Sequence, residues 1–175
     1  GIDDNTIVIY TADNGYYMGD RGFTGKWTHY EQALRVPMII RDPRRAPTQR
    51  GKVCDAMALN IDLTATMVAL GGATVPAQYQ GASLQPLLEG EQPADWRTDF
   101  FCEHLMVHPD IPKWEGIRDQ RYVYARYFEQ DPPYEFLHDL ETDPDELTNL
   151  VNDPEYAAVL KELRARTDER RDGYA

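Results

Sequence analysis

Hydrophobic and polar positions follow two rhythms along this chain, and the change falls near residue 93. The run Ile7-Val8-Ile9-Tyr10 is continuously apolar and ends at Thr11-Ala12-Asp13-Asn14-Gly15. Such a run predicts a strand over about residues 5–11, buried on both faces as in the middle of a parallel sheet. A loop punctuated by Gly15, Gly19, Gly22 and Gly25 follows, then a helical turn over residues 30–34. Val36-Pro37-Met38-Ile39-Ile40 predicts a second strand with its proline at the start, where no N–H donor is required. Residues 42–52 form a basic loop. Asn60-Ile61-Asp62 then opens a helix carrying Leu63, Met67 and Leu70 at helical spacing, with Gly71-Gly72 as its stop. Residues 75–93 hold three prolines and two glycines and predict an irregular connection.

Beyond it the period shortens. Residues 98–103, 118–119, 122–127 and 135–139 predict short aromatic-rich strands of an antiparallel sheet. Asp153 with Pro154 is a helix start, and Tyr156, Leu160, Leu163 and Thr167 mark one face of a terminal amphipathic helix. The expected architecture is α/β over residues 1–93, followed by a small antiparallel α+β subdomain over residues 94–175.

Composition narrows the partners. Formal net charge is −12, which argues against nucleic acid or an anionic membrane surface. Residues 129–175 hold fourteen acids and five bases, expected as a solvated surface. No stretch reaches the ~20 apolar residues that span a bilayer. No signal peptide opens the chain, and its start almost directly in a core strand suggests a piece of a longer protein. Cys54 and Cys102 lack the spacing of a disulfide framework or a zinc site and are expected as half-buried small hydrophobes.

The candidate chemistry sits at the end of the first strand. Ligands of open α/β sheets gather outside the carboxyl ends of strands. Asp13 and Asn14 there supply hard oxygen ligands, suited to Ca²⁺ or Mg²⁺. Lys26, twelve residues on, adds a cation for the same anion. The tripeptide alone is also a favoured turn. Gly25-Lys26 is not a phosphate loop, because Asp20 and Trp27 stand where that motif requires Gly and Ser or Thr.

Several blocks, in order, resemble the C-terminal half of formylglycine-dependent sulfatases of the alkaline phosphatase superfamily. They are TIVIYTADNG at 6–15, GKW, YEQALRVPMIIRDP at 30–43, NIDLTATMVALGG at 60–72 and YQGASLQPLLEG at 79–90. IRDQRYVYARY at 117–127 and LHDLETDPDELTNL at 137–150 complete the set, so the resemblance covers essentially the whole chain. It implies one Ca²⁺ held by Asp13 and Asn14 together with two aspartates outside these residues. Asp13 would also lie beside the formylglycine hydrate, and Lys26 would bind the sulfate ester. It further implies a C-terminal subdomain that leans over the site and recognises substrate, which makes His104 and Trp114 candidate pocket residues, with Trp114 a sugar-stacking platform. His29, three residues past Lys26, is a weaker candidate for the same pocket. Tyr16, Tyr17 and Met18 are expected as core, Arg118 and Arg121 as structural ion-pair partners, and Glu31 with Arg35 as a local salt bridge.

Formylglycine arises from a C/S-x-P-x-R motif. Cys54 is followed at the second and fourth positions by Ala56 and Ala58, Cys102 by His104 and Met106, and the one serine, Ser83, by Gln85 at the second. The nucleophile therefore lies outside this chain, and the chain alone is expected to be inactive. The expected substrate is a sulfated small molecule or carbohydrate, and the expected association is with the missing N-terminal portion or with another copy. Enzymes of this type are commonly exported, although no residue here encodes a location. Two alternatives stand beside this reading: a phosphoester or phosphonate hydrolase of the same superfamily, and a noncatalytic carbohydrate-binding module. Neutral Asn14, where two-metal members carry histidine, favours one hard cation over two zinc ions.

Overall fold

The structure, a computed structural model, describes residues 1–173. The chain divides into two units, one of residues 1–13 and 36–97, the other of residues 14–35 and 98–175. The second unit takes in an internal segment, so the linear boundary expected near residue 93 describes only one of three crossings.

In the first unit, β1 (Val8–Thr11) pairs with β4 (Met38–Arg41), and the register runs from Val8 opposite Arg41 to Thr11 opposite Met38. The pairing is antiparallel, and Val8, Tyr10 and Ile39 are exposed. Within this chain the apolar run therefore forms an antiparallel pair with one face exposed. Among the described residues this sheet has two strands, and one of its faces carries no apolar layer. Helix α2 (Asp62–Leu70) begins at a wholly buried carboxylate. Asp62 accepts the Leu59 N–H at 2.7 Å, the Ala82 N–H at 2.8 Å and Arg97 Nη2 at 2.8 Å. Gly81 permits this junction, because a Cβ there would stand 2.1 Å from the Ile61 carbonyl oxygen. The stretch 75–93 contains a short helix, α3 (Gln85–Glu89), that its prolines concealed.

The second unit is built on four antiparallel strands in sequential order: β5 (Asp99–His104), β6 (Trp114–Asp119), β7 (Tyr122–Tyr127) and β8 (Tyr134–Asp139). Side chains of a strand alternate between faces, and here the faces have different covers. Ile117, Tyr124 and Leu137 pack with Leu160 and Leu163 of the terminal helix α4 (Ala157–Gly173). Trp114, Ala125 and Tyr127 face the other way and pack with Phe136 and with Leu34 of the internal segment. That segment holds two short strands, β2 (Tyr17–Met18) and β3 (Thr24–Gly25), paired with each other, and one helical turn, α1 (Glu31–Leu34). The start of α4 follows expectation. Asp153 accepts the Glu155 N–H at 2.9 Å, and Leu160, Leu163 and Thr167 form its buried face.

The acidic stretch is not simply a solvated surface. Asp139 is fully buried and held by Arg121 at 2.8 and 2.6 Å, which keeps its carboxyl below the usual carboxylate range. Glu31 pairs with Arg118, at 3.0 and 3.1 Å, instead of with Arg35. Arg118 lies across the sheet face and offers a two-pronged partner, which a flexible neighbour one turn away does not. Cys54 and Cys102 are free thiols, the former exposed and the latter half-buried.

Gly116 sets the spacing at the centre of this sheet, since a Cβ there would lie 2.0 Å from the Tyr124 carbonyl oxygen. Gly116→Ala is expected to cost about 3 kcal/mol or more, read by urea or thermal unfolding, because backbone and not a flexible side chain would have to move.

Candidate functional site

Where β1 ends, the chain turns through Asp13 and Asn14. The Asp13 carbonyl accepts Asn60 Nδ2 at 2.7 Å. Asn14 is fixed by its own amide, whose Nδ2 donates to the Gly15 carbonyl at 2.6 Å. That bond leaves Oδ1 as the acceptor, and Lys26 Nζ donates to it at 2.6 Å. Gly15 seats the turn. Its N–H donates to the Ala33 carbonyl at 2.8 Å, and a Cβ would stand 2.1 Å from the Gln32 carbonyl oxygen. No residue but glycine fits so close a backbone approach. The amide and the ammonium, twelve residues apart in sequence, thus meet.

The residues after Lys26 are pinned one by one. The Trp27 carbonyl accepts Trp114 Nε1 at 2.8 Å, Thr28 Oγ1 shares a 2.6 Å hydrogen bond with the Tyr17 hydroxyl, and His29 Nδ1 lies 3.0 Å from the Tyr127 hydroxyl. This arrangement corrects two expectations. Trp114 is 3% exposed and lies in β6, not in a loop, so it offers no platform to a sugar. His29 is 1% exposed, packed among Tyr30, Phe136 and His138, and is a core group. Tyr17 is core as expected, its hydroxyl pushed up to about 12 by burial, whereas Tyr16 and Met18 are exposed.

His104 differs. It closes β5 with its ring 5.5 Å from the Trp27 ring, edge to face. Both of its ring nitrogens are buried and, among the described residues, have no hydrogen-bond partner. Buried polar atoms normally find partners, which sets this imidazole apart from His29 and His138. A run of contacts leads from Asn14 to Lys26 at 2.6 Å, from Lys26 Nζ to the Trp27 ring at 5.9 Å, and from there to His104.

Sequence reasoning missed a pair that anchors the same segment to the loop after β8. Arg21 and Glu146 both take left-handed backbone conformations, with φ of 57° and 52°. Arg21 donates to the carbonyls of Glu146, at 2.9 Å, and Asp145, and its guanidinium lies 4.1 Å over the Tyr30 ring. Glu146 is 1% exposed and accepts the Glu31 N–H at 2.9 Å. Burial pushes its carboxyl up to about 7, against the opposing pull of that N–H. Nothing local in the sequence signals this pair, because the two residues lie 125 positions apart.

The residue types at the strand end, a carboxylate and an amide oxygen, are those a hard cation takes, and Lys26 Nζ holds one lone pair of the Asn14 oxygen. Among the described residues no group of three or more His, Cys, Asp or Glu side chains could hold a metal ion. Asp13 and Asn14 supply oxygen donors of the type a hard cation takes, and by themselves make no complete site.

Residues 19–173 match the family model of the N-sulphoglucosamine sulphohydrolase C-terminal region. The chain belongs to this family. Its fold is that of the sulfatases and alkaline-phosphatase-like hydrolases. A solved structure of BT4656 in complex with its substrate D-glucosamine-2-N,6-O-disulfate superposes with a TM-score of 0.88 at 33% identity, covering 98% of this chain and 35% of that one. The phosphonate monoester hydrolase of Agrobacterium radiobacter gives 0.86 at 28% identity, covering 100% and 36%. In sequence, the N-acetylglucosamine-6-O-sulfatase of Bacteroides thetaiotaomicron is 35% identical over 98% of this chain and 31% of its own length. This family member spans about a third of the length of the curated relatives it matches.

Glu146 yields a pH prediction. Its folded-state pKa is raised, so its contribution to stability is present below about pH 4.5 and lost as pH rises through about 7. Glu146→Gln removes that loss. The variant is expected to gain stability relative to the parent between about pH 5 and pH 8, as read by urea midpoints.

Proposed function

We propose that this chain is the C-terminal region of a sulfuric ester hydrolase acting on sulfated carbohydrate. The observation that carries the reading is the 2.6 Å contact between Asn14 Oδ1 and Lys26 Nζ at the end of β1, in a chain that belongs to a sulfatase family. Support for the substrate class comes from the sulfated glucosamine bound by a structural relative and from the hexosamine sulfatase among the sequence relatives.

In this reading Asp13 and Asn14 are two ligands of one divalent cation, taken as Ca²⁺, whose other ligands lie outside this chain. When bound, that cation would draw charge from nonbridging sulfate oxygens. Lys26 supplies a second positive charge on the same side. Its ammonium has three donors, and the bond to Asn14 fixes the direction of the group. Held in that direction, it stabilises oxygen charge as the ester bond breaks, without reorganising at the moment of reaction. The nucleophile, a formylglycine, belongs to the part of the enzyme outside these residues. Asp13 lies next to Asn14 in the chain and would assist its attack. His104, half-buried at the end of β5 with Trp27 beside it, is the proposed sugar-recognition residue of this chain.

A second reading has one observation in its favour: phosphonate monoester hydrolases share this fold closely. The exposed residues Val8, Tyr10 and Ile39 fit association with the rest of the enzyme or with a second copy.

Turnover by the full-length polypeptide separates these readings. Hydrolysis of sulfate esters should exceed that of matched phosphate and phosphonate esters, and a preference for phosphorus would overturn the assignment. Lys26→Ala should lower kcat/KM by about 10²–10³-fold. His104→Ala should act mainly on KM for the sugar substrate and far less on a small aryl sulfate. Residues 1–175 alone should show no hydrolysis of either.

A further inference from the structure

His29 and His138 face each other inside the second unit, with rings nearly parallel at 12° and their Nε2 atoms 3.4 Å apart. Each has a second contact that fixes where its proton sits. His138 Nδ1 lies 3.0 Å from the Thr148 carbonyl oxygen, which can only accept, so Nδ1 carries the hydrogen. In the neutral ring Nε2 is then the acceptor. His29 must therefore donate from Nε2, which makes its Nδ1 an acceptor for the Tyr127 hydroxyl 3.0 Å away. The result is one directional chain: Tyr127 O–H to His29 Nδ1, His29 Nε2–H to His138 Nε2, and His138 Nδ1–H to the Thr148 carbonyl.

The chain joins three parts of the fold. His29 lies in the internal segment three residues from Lys26, Tyr127 in β7 and His138 in β8, while Thr148 follows β8. This direction holds only while both rings are neutral. A proton on His29 turns the Tyr127 hydroxyl from donor to acceptor, a proton on His138 forces His29 to move its own hydrogen from Nε2 to Nδ1, and either places a charge in a site that is 1% exposed on both sides. The other charged and titratable groups facing the pair do not neutralise that charge. They are Arg21 and Tyr30 from the same segment, Tyr127 from β7, and Asp143 and Glu146 from the loop after β8. Arg21 repels it, and Asp143 favours a charged His138 too weakly to overcome burial.

We propose that His29 and His138 form an acid-sensitive strap, positioning residues that hold the Lys26-bearing segment on the sheet when both are neutral and release it when either is protonated. Burial lowers the pKa of both rings, His29 well below the ordinary value, so the folded strap resists the first proton and the strain is met only as the solution turns acidic. A depressed folded pKa means that the unfolded or opened segment binds more protons. Stability of the segment therefore falls as pH drops below the histidine range. Glu146 titrates in the opposite sense and cannot produce this loss. The effect on turnover rests on the role given to Lys26 above. The strap itself does not.

The test is amide hydrogen exchange on the full-length polypeptide, corrected for intrinsic rates, between about pH 7.5 and pH 5. Protection of residues 17–30 should fall tenfold or more toward the acid end, while the centre of β6 and β7 keeps its protection. The double variant His29→Gln, His138→Gln replaces both rings with amides that pair without titrating, and its protection should be flat with pH. Tyr127→Phe, which removes the donor that favours neutral His29, should move the loss to higher pH. Glu146→Gln should leave the response in place. Flat protection in the parent, an unchanged profile in Tyr127→Phe, or loss of the response in Glu146→Gln would each overturn the strap. The acid limb of kcat/KM should follow the exchange profile. A strap visible by exchange in a protein that hydrolyses no sulfate ester would instead overturn the function assigned above and leave the strap standing.

Discussion

The seating of residues 14–35 against the four-stranded sheet is the constraint on which the rest of the second unit depends. The segment is too polar and too rich in glycine to fold by hydrophobic patterning. It is held instead by a few buried polar contacts: the Trp27 carbonyl on Trp114, the Glu31 N–H on Glu146, and His29 between Tyr127 and His138. Each unpaired partner would cost the desolvation of a buried polar group, roughly 1–3 kcal/mol. Such contacts make the geometry steep, because a partial fit is worse than none. Lys26 inherits its position from that steepness.

The sheet can carry this load because its two faces have separate tasks. On one, Ile117, Tyr124 and Leu137 pack with Leu160 and Leu163 in an ordinary aliphatic and aromatic core. On the other, Trp114 and Tyr127 present polar edges from apolar bodies, and Phe136 and His138 fill the space between. Amphipathic rings suit a face that must exclude water and still offer hydrogen-bond partners. The charged residues of α4 tie the same strands at their rims, as with Arg166 to Asp99 and Asp119.

Much of this was legible in the residues, for identifiable reasons. Strands β7 and β8 and helix α4 announce themselves because their periodicity is local and Asp153-Pro154 is a start signal in its own right. That Asn14 and the lysine of Gly-Lys-Trp come together was also legible, since the glycine-punctuated stretch between them can turn back on itself. What escaped notice depends on distance. Arg21 and Glu146 adopt unusual backbone conformations that only a packed partner can impose. His29 and Trp114 were misplaced toward a ligand because a polar ring looks the same in sequence whether its partner is a sugar or a tyrosine hydroxyl. The pairing of β1 with β4 was not legible, because an apolar run records what can be buried and not which strand lies alongside.

The interleaved make-up of the second unit has a consequence for exchanging parts among relatives. A chimera that imports only residues 98–175 would bring a foreign Trp114, Tyr127, His138 and Glu146 to a resident loop shaped for others. The loop carrying Gly15 through Arg35 would have to travel with them, although it sits more than sixty residues upstream. In this fold the heritable module is a pair of separated cassettes, and a single crossover cannot transfer it intact.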